Sequence, residues 1–132
     1  MRKKIHIKSS SDVARKLCKD IVEEIAAYSY TPEDVFKIQL AIEEAMINAV
    51  EHGNKSDPLK TVTVEYSITA KEFDITITDE GNGFALEKVP DCRNDENLNN
   101  VTGRGIVLMR SCMDSVEYNE RGNRVRMIKH GR

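Results

Sequence analysis

Residues 61–79, TVTVEYSITAKEFDITITD, alternate apolar and polar side chains almost without interruption. Such alternation is typical of strands that bury one face and expose the other to water. The pattern pauses around Ala70 and Lys71, so the stretch predicts two antiparallel strands joined as a hairpin. We expect this hairpin to form part of a sheet, and the flanking segments must supply the layer that covers its apolar face.

A short strand and an amphipathic helix are predicted at the start of the chain. Ile5 and Ile7 alternate with polar neighbours, which indicates the strand. Ser10 or Ser11 can then cap a helix. The expected apolar face of that helix recurs every fourth residue, at Val13, Leu17, Ile21 and Ile25.

A second helix is predicted from residues 31–34, TPED. Threonine can cap this helix, proline suits its first turn, and the two acids suit the positive end of its dipole. We expect the helix to end at Gly53, because glycine tolerates the left-handed conformation that a helix terminus often needs. Its expected buried stripe consists of Val35, Ile38, Ile42, Ala45 and Ala49.

The region after the central hairpin begins with a long irregular stretch and closes with a second hairpin. Residues 79–102 are rich in Gly, Asn and Asp, and loops of that length are usually functional or mobile. A short helix is predicted at residues 106–113. Two strands are then predicted, around residues 116–118 and 125–127, with a turn at residues 121–123.

Length and composition set the fold class and exclude several functions. The chain has 132 residues, and we expect a single α/β domain over residues 1–132. The predicted architecture is a two-layer sandwich, with helices packed on one face of a mixed, mostly antiparallel sheet. With 20 basic and 22 acidic residues, nucleic acid is not expected as the main partner. Neither a spanning apolar run nor a signal peptide is visible, so we expect no membrane contact and a cytoplasmic location.

A basic cluster and the cysteines both have ordinary structural interpretations. The basic residues near the C-terminus are Arg121, Arg124, Arg126 and Lys129. We interpret them as the solvated face of a strand rather than as a nucleic-acid patch. The cysteines are Cys18, Cys92 and Cys112. Their odd number and spacing indicate free thiols, and a cysteine nucleophile is disfavoured because nothing places a base beside any of them.

Polar residues interrupt the second helix within residues 43–54, EEAMINAVEHGN. Glu44 and Asn48 are four residues apart, as are Asn48 and His52, so each pair is expected to share a helix face. An amide oxygen can bind Mg²⁺, and a neighbouring carboxylate can hold a coordinated water or act as a base. On these residues alone, a solvated acidic face explains the pattern at least as well.

Asp79 has the parity of the apolar, core-facing residues of its strand. An aspartate that points inward is unfavourable unless it is hydrogen-bonded or paired, and the amine of a ligand would satisfy it. Gly81 and Gly83 follow, and glycine permits both close backbone approach and positive φ. A turn in which Asp79 accepts from backbone amides explains the same residues equally well.

Residues 102–106, TGRGI, are expected to lead into the third helix as a loop. Backbone N–H groups at a helix N-terminus, together with the helix dipole, favour an anion, and Arg104 adds a permanent charge. Many helices begin at glycine, however, and Arg104 can equally face solvent or a partner protein. Taken together, the three segments supply a metal corner, an amine-accepting acid and a phosphate cradle, which suits a purine nucleoside triphosphate.

The order and spacing of these segments resemble the GHKL (Bergerat-fold) ATPases, which include gyrase, heat-shock chaperone, histidine kinase and mismatch-repair families. Residues 43–54 resemble their N box, and residues 79–84, DEGNGF, match their first glycine box, D-x-G-x-G-F. Residues 103–114, GRGIVLMRSCMD, resemble their second glycine box in the form seen in bacterial anti-sigma-factor serine kinases. The sequence shows no phosphoacceptor-histidine helix pair and only a short lid, which favours the serine kinase branch.

The resemblance implies a role for each of these positions. Glu44 matches the general base and Asn48 the Mg²⁺ ligand, while Asp79 matches the adenine-binding aspartate. The other implied nucleotide-binding residues are Gly81, Gly83 and Phe84 at the base and Thr102, Gly103, Arg104, Gly105 and Ile106 at the phosphates. Residues 90–102 correspond to the ATP lid.

The resemblance also implies a function with ATP and Mg²⁺ as cofactors. It indicates a serine-protein kinase that acts as an anti-sigma factor, binds a sigma factor and phosphorylates a serine on a STAS-domain antagonist. Members of this family often form homodimers. One alternative is an ATP-binding regulatory module that sequesters a partner without phosphorylating it, and another is an interaction domain without nucleotide. Glu44 favours the kinase, because a kinase needs a base to accept the serine proton.

Overall fold

The computed structural model describes residues 2–81 and 101–131, with the backbone alone for residues 101–104. The strands are β1 (Lys3–Lys8), β2 (Thr61–Ile68), β3 (Glu72–Asp79), β4 (Ser115–Tyr118) and β5 (Arg124–His130). The helices are α1 (Ser11–Ile25), α2 (Pro32–Ile47) and α3 (Val101–Cys112), and a π-helical segment, Asn48–Gly53, continues α2.

The strands form one sheet in the order β1-β2-β3-β5-β4, and every neighbouring pair is antiparallel. The predicted α/β class and the two hairpins are confirmed, but the sheet is not mixed. After β3 the chain passes through α3 and returns as β4, which runs in the same direction as β3. Because β5 lies between these two strands and pairs antiparallel with both, no parallel pair forms among the described strands.

The helices cover one face of the sheet and enclose the core. On that face Val64 lies opposite Ile77, and Tyr66 lies opposite Ile75, as the alternation predicts. All four side chains are buried, and they belong to the same apolar cluster as residues from α1, α2 and α3. Within the described residues, no helix is long and apolar enough to cross a bilayer.

The first helix begins as predicted but buries a different stripe. Ser10 is its cap, and the Ser10 side chain accepts from the Val13 backbone N–H. Its buried residues are Ala14, Leu17, Cys18, Ile21 and Ile25. Val13 is 38% exposed, so its predicted burial is wrong. A helix turns once in 3.6 residues, and steps of four therefore drift away from the core, where Ala14 and Cys18 lie instead.

The second helix confirms its predicted start. The Thr31 hydroxyl accepts from the Asp34 N–H at 3.1 Å, and Pro32 opens the first turn. Val35 is only partly buried. The rest of the predicted stripe is buried: Ile38, Ile42, Ala45 and Ala49.

The helical conformation ends at Gly53, as predicted, but through the π-helical segment and without the predicted left-handed glycine. Gly53 does not adopt a positive φ; the left-handed residues are Lys55 and Ser56, at φ 52° and 57°. In the π-helical segment each turn holds an extra residue. Asn48 is therefore buried whereas His52 is exposed. The prediction that these two residues share a helix face is wrong.

The third helix begins at Val101, five residues before the predicted start at Ile106. Residues 102–105 are therefore helical and do not form a loop in front of the helix. The two glycines led to the wrong boundary, because glycine disfavours a helix interior by only about 1 kcal/mol relative to alanine and packing can outweigh that. Gly105 is buried, so it contributes to such packing.

The closing hairpin is confirmed, with Gly122 at φ 80° inside the predicted turn. The interpretation of the basic cluster is wrong for Lys129, which has the inward parity of β5 and is only 5% exposed. Its ammonium donates to the Cys112 carbonyl at 3.0 Å and lies 3.7 Å from the Asp34 carboxylate. Lys129 thus connects β5 to the end of α3 and the start of α2.

Candidate functional site

Two of the predicted motifs meet where α3 passes the end of α2. Asn48 donates its backbone N–H to the Glu44 carbonyl, so the two residues lie one turn apart. A Cβ atom placed on Gly105 would be 3.0 Å from Glu44 Oε2 and 3.5 Å from Asn48 Nδ2. The structure therefore brings the carboxylate, the carboxamide and a glycine of α3 together, and a side chain at position 105 would occupy the space between them.

The Asn48 side chain is buried, and neither its Oδ1 nor its Nδ2 makes a hydrogen bond of ordinary geometry with the residues that the structure describes. Buried amides are nearly always satisfied, so this carboxamide suits a ligand. Amide oxygen and carboxylate are ligands that Mg²⁺ accepts in proteins. The donor set of Asn48 and Glu44 therefore fits Mg²⁺.

Tyr118 belongs to this site, although its sequence pattern predicts only a strand position. The pKa of Tyr118 is raised to about 12. Burial is the main cause of this rise; a hydrogen-bonding interaction with Asn48 opposes it, and the charge of Asp79 adds to it. That interaction lies outside ordinary hydrogen-bond geometry, but it places the phenol beside Asn48. Tyr118 lies across from Val125, which is paired with Ile77 of β3. This register brings Tyr118 to the site, and it depends on a strand order that the sequence does not give.

Asp79 points inward, as its parity predicts, and it is 8% exposed. Its Oδ1 accepts from the Gly81 N–H at 2.7 Å, so the turn that we considered as an alternative is also present. Burial raises the pKa of Asp79, while the Gly81 bond and the charges of Arg121 and Lys60 lower it. Among the described residues, none donates a hydrogen bond to Oδ2, which leaves this oxygen for a ligand donor.

Two glycines allow the backbone to approach Asp79. A Cβ atom on Gly53 would overlap the Asp79 carboxylate, and one on Gly81 would overlap the Gly53 carbonyl oxygen. Position 53 therefore requires glycine for space rather than for a left-handed helix end. The predicted close approach at Gly81 is present.

The other predicted site residues are only partly described. Gly83, Phe84 and residues 90–100 of the expected lid lie outside the described residues. The backbone of Thr102, Gly103 and Arg104 forms the first turn of α3, where N–H groups have no partner within the helix. The Ile106 side chain is buried in the core.

The neighbouring Glu43 faces a different part of the molecule. It lines a groove of about 310 Å³ between α1 and α2, together with Cys18, and accepts from Gln39 Nε2 at 3.1 Å. Burial, reinforced by the charge of Glu43, raises the pKa of Cys18 to about 12, so this thiol stays protonated and is a poor nucleophile. The two adjacent glutamates thus belong to separate sites.

Residues 7–129 match the family described as the histidine kinase-like ATPase domain. The anti-sigma F factor of Clostridium perfringens (strain SM101 / Type A) is 33% identical over 109 residues, which cover 79% of this chain and 76% of that protein. The serine-protein kinase RsbW of Listeria monocytogenes serovar 1/2a is 30% identical over 112 residues, which cover 80% of this chain and 70% of that protein.

Proposed function

Because the chain belongs to the histidine kinase-like ATPase domain family, we propose that it is an ATP-dependent serine-protein kinase that also acts as an anti-sigma factor. Its relatives include proteins named as an anti-sigma factor and as a serine-protein kinase. By this proposal the chain binds a sigma factor and phosphorylates a serine on a STAS-domain antagonist, in the cytoplasm and as a homodimer. The proposal includes neither direct nucleic-acid binding nor membrane binding.

The observation that carries the proposal is the convergence of Glu44, Asn48 and Gly105. A buried amide, without an ordinary hydrogen bond to any residue of the described part of the chain, lies beside a carboxylate, and the absence of a side chain at position 105 keeps this corner accessible. This arrangement suits Mg²⁺ held by a protein amide and completed by phosphate oxygens. A carboxylate at the same place suits a kinase, which needs a group to accept the proton of the serine hydroxyl.

Each residue has a distinct part in the proposed reaction. Asp79 accepts from the amino group of adenine, and Gly53 and Gly81 leave room for that carboxylate. The first turn of α3 directs free N–H groups at the phosphates. Asn48 holds Mg²⁺, which offsets phosphate charge when it is bound, and Glu44 takes the proton of the attacking serine.

The test is phosphoryl transfer between purified proteins. The chain is incubated with Mg-ATP and STAS-domain proteins from the same organism, and each STAS protein is then mapped by mass spectrometry. The proposal expects one of them to gain a phosphoryl group on a serine, with no gain when ATP is replaced by ADP. If the chain binds ATP and a sigma factor but modifies none of them, it is a sequestering module and the kinase proposal is wrong.

A further inference from the structure

Asn54, which directly follows Gly53, is fully buried and joins the ends of two strands. Its Nδ2 donates to the Thr61 carbonyl at the start of β2, at 2.9 Å. Its Oδ1 accepts from the Glu80 N–H just beyond β3, at 2.8 Å. One side chain therefore fixes the backbone immediately after Asp79 to the beginning of the neighbouring strand.

The backbone around Asp79 is held from the other side as well. Asp79 donates its N–H to the Asn123 carbonyl at 2.9 Å, and Asn123 Nδ2 donates to the Asp79 carbonyl at 3.2 Å. The Glu80 carboxylate also accepts from the N–H and the hydroxyl of Thr61. Among these bonds, the one to Asn54 is the one that holds the backbone N–H of Glu80. Glu80 directly precedes Gly81, whose own N–H donates to Asp79 Oδ1.

The chain adopts an unfavourable conformation directly after Asn54. Lys55 and Ser56 are the non-glycine residues with positive φ in the described part of the chain. Residues other than glycine disfavour positive φ, and they keep it only where surrounding contacts fix the backbone. Ser56 donates its N–H to the Val50 carbonyl at 2.8 Å, which closes the turn and holds Asn54 between β2 and β3.

We propose that Asn54 is a positioning residue for base recognition: by binding Glu80 and Thr61, it fixes the carboxylate of Asp79 in the orientation that selects adenine. The proposal rests on the proposed function, in which Asp79 receives the adenine amino group. With the Glu80 N–H held by Asn54, the Gly81 N–H stays on Oδ1, and Oδ2 stays directed at the ligand. Without Asn54 the Glu80 N–H loses its partner, and the Glu80 carboxylate on Thr61 is left to hold this side of the turn. The carboxylate of Asp79 then distinguishes an amino group from a carbonyl less well.

The test compares the affinities of the chain for Mg-ATP and Mg-ITP by calorimetry. ITP carries a carbonyl where ATP carries the amino group, so the ratio of the two affinities measures base recognition separately from phosphate binding. We expect Asn54→Ala to reduce this ratio by roughly tenfold, about the energy of one hydrogen bond to a charged group. A variant that is merely less stable would bind both nucleotides less well and keep the ratio.

Thr69→Ala is the matched control. Thr69 holds the opposite end of the same two strands, since its hydroxyl accepts from the N–H groups of Lys71 and Glu72. This variant should lose stability and keep the wild-type ratio. A ratio in Asn54→Ala equal to that of wild type would overturn the positioning role. If wild type itself does not distinguish ATP from ITP, the assignment of Asp79 to adenine fails, which is a different result.

A second measurement needs no variant. The Glu80 N–H is donated to a buried side chain, so its hydrogen exchange in the wild-type protein should be slow both with and without nucleotide. Rapid exchange at Glu80 without nucleotide would show that Asn54 does not hold this turn before the base arrives, and it would overturn the proposal even if Asn54→Ala failed to fold.

Discussion

The backbone of Gly53 packs directly against the carboxylate of Asp79, so closely that a methyl group on Gly53 would overlap the carboxylate. The two residues come from different motifs, one at the end of the π-helical segment after α2 and one at the end of β3. Their contact fixes the distance between the helix that carries Glu44 and Asn48 and the strand that carries the base-binding acid. The proposed metal corner and the proposed base pocket are therefore built as one unit.

Gly53→Ala tests this contact. The added methyl group must displace Asp79, so we expect ATP affinity to fall by roughly tenfold or more and stability to fall by about 1–3 kcal/mol. Calorimetry and thermal unfolding measure the two effects. Gly131→Ala is the control, because its methyl group would also overlap a neighbouring residue, here the Ala70 backbone carbonyl, but at the other end of the sheet. If both variants lose ATP affinity equally, the Gly53 effect is only a loss of stability.

Asp79→Asn should change stability and binding in opposite directions. Burial raises the pKa of Asp79, so the folded state binds a proton more readily than the unfolded state, and stability falls as pH rises above about 3.8. The neutral amide removes this penalty, and we expect the nucleotide-free variant to gain roughly 0.5–2 kcal/mol at pH 7. The binding of ATP should weaken by roughly 1–3 kcal/mol, and the preference for ATP over GTP should decrease. A variant that binds ATP and GTP as wild type does would show that Asp79 does not read the base.

Asn48→Ala should separate metal binding from nucleotide binding. Removing the carboxamide removes a Mg²⁺ ligand, so we expect the affinity for Mg-ATP to fall by roughly tenfold or more. The affinity for ATP in the presence of EDTA should change much less, because the base and phosphate contacts remain. Titrations with and without Mg²⁺ give both values. Equal losses under the two conditions would remove Asn48 from the metal site.

The outer face of the sheet gives a pH-dependent prediction. Burial alone would raise the pKa of Asp74, but the hydrogen bond from Arg126 and the charges of Arg126 and Arg2 hold it below its usual value. This group therefore stabilises the fold above about pH 3.8, and its contribution is lost as pH falls through the lower, folded-state pKa. Because Arg126 is half exposed, Arg126→Met should lower stability at pH 7 only modestly. Denaturant unfolding should show this difference shrinking in acid, and a constant difference would contradict the account.

Much of the fold was predictable because local signals agree with packing. The cap at Thr31, the alternation of residues 61–79 and the turn at Gly122 each act over a few residues, and each prediction is confirmed. The wrong predictions concern features that depend on tertiary contacts. The glycines inside α3 resemble the end of a loop in sequence, and the approach of Gly105 to Glu44 gives a tertiary reason for a glycine at position 105 of the helix.

The site residues divide in the same way, into those whose position follows from local spacing and those whose position depends on which strands are neighbours. The inward direction of Asp79 followed from strand parity, and the pairing of Glu44 with Asn48 followed from helix spacing. Tyr118 and Asn54 were missed because their importance depends on which strands are neighbours. Tyr118 reaches Asn48 only because β4 lies at the edge next to β5, and the sequence does not give that order.

The most direct measurement is phosphoryl transfer by Glu44→Gln compared with Glu43→Gln. The two glutamates are adjacent in sequence, but Glu44 lies beside Asn48 and Gly105, whereas Glu43 faces the groove between α1 and α2. With Mg-ATP and the STAS-domain protein that the wild-type chain phosphorylates, supplied in its unphosphorylated form, Glu44→Gln should bind ATP within a few fold of wild type and transfer no detectable phosphate. Glu43→Gln should transfer phosphate as wild type does. Transfer at the wild-type rate by Glu44→Gln would contradict the account.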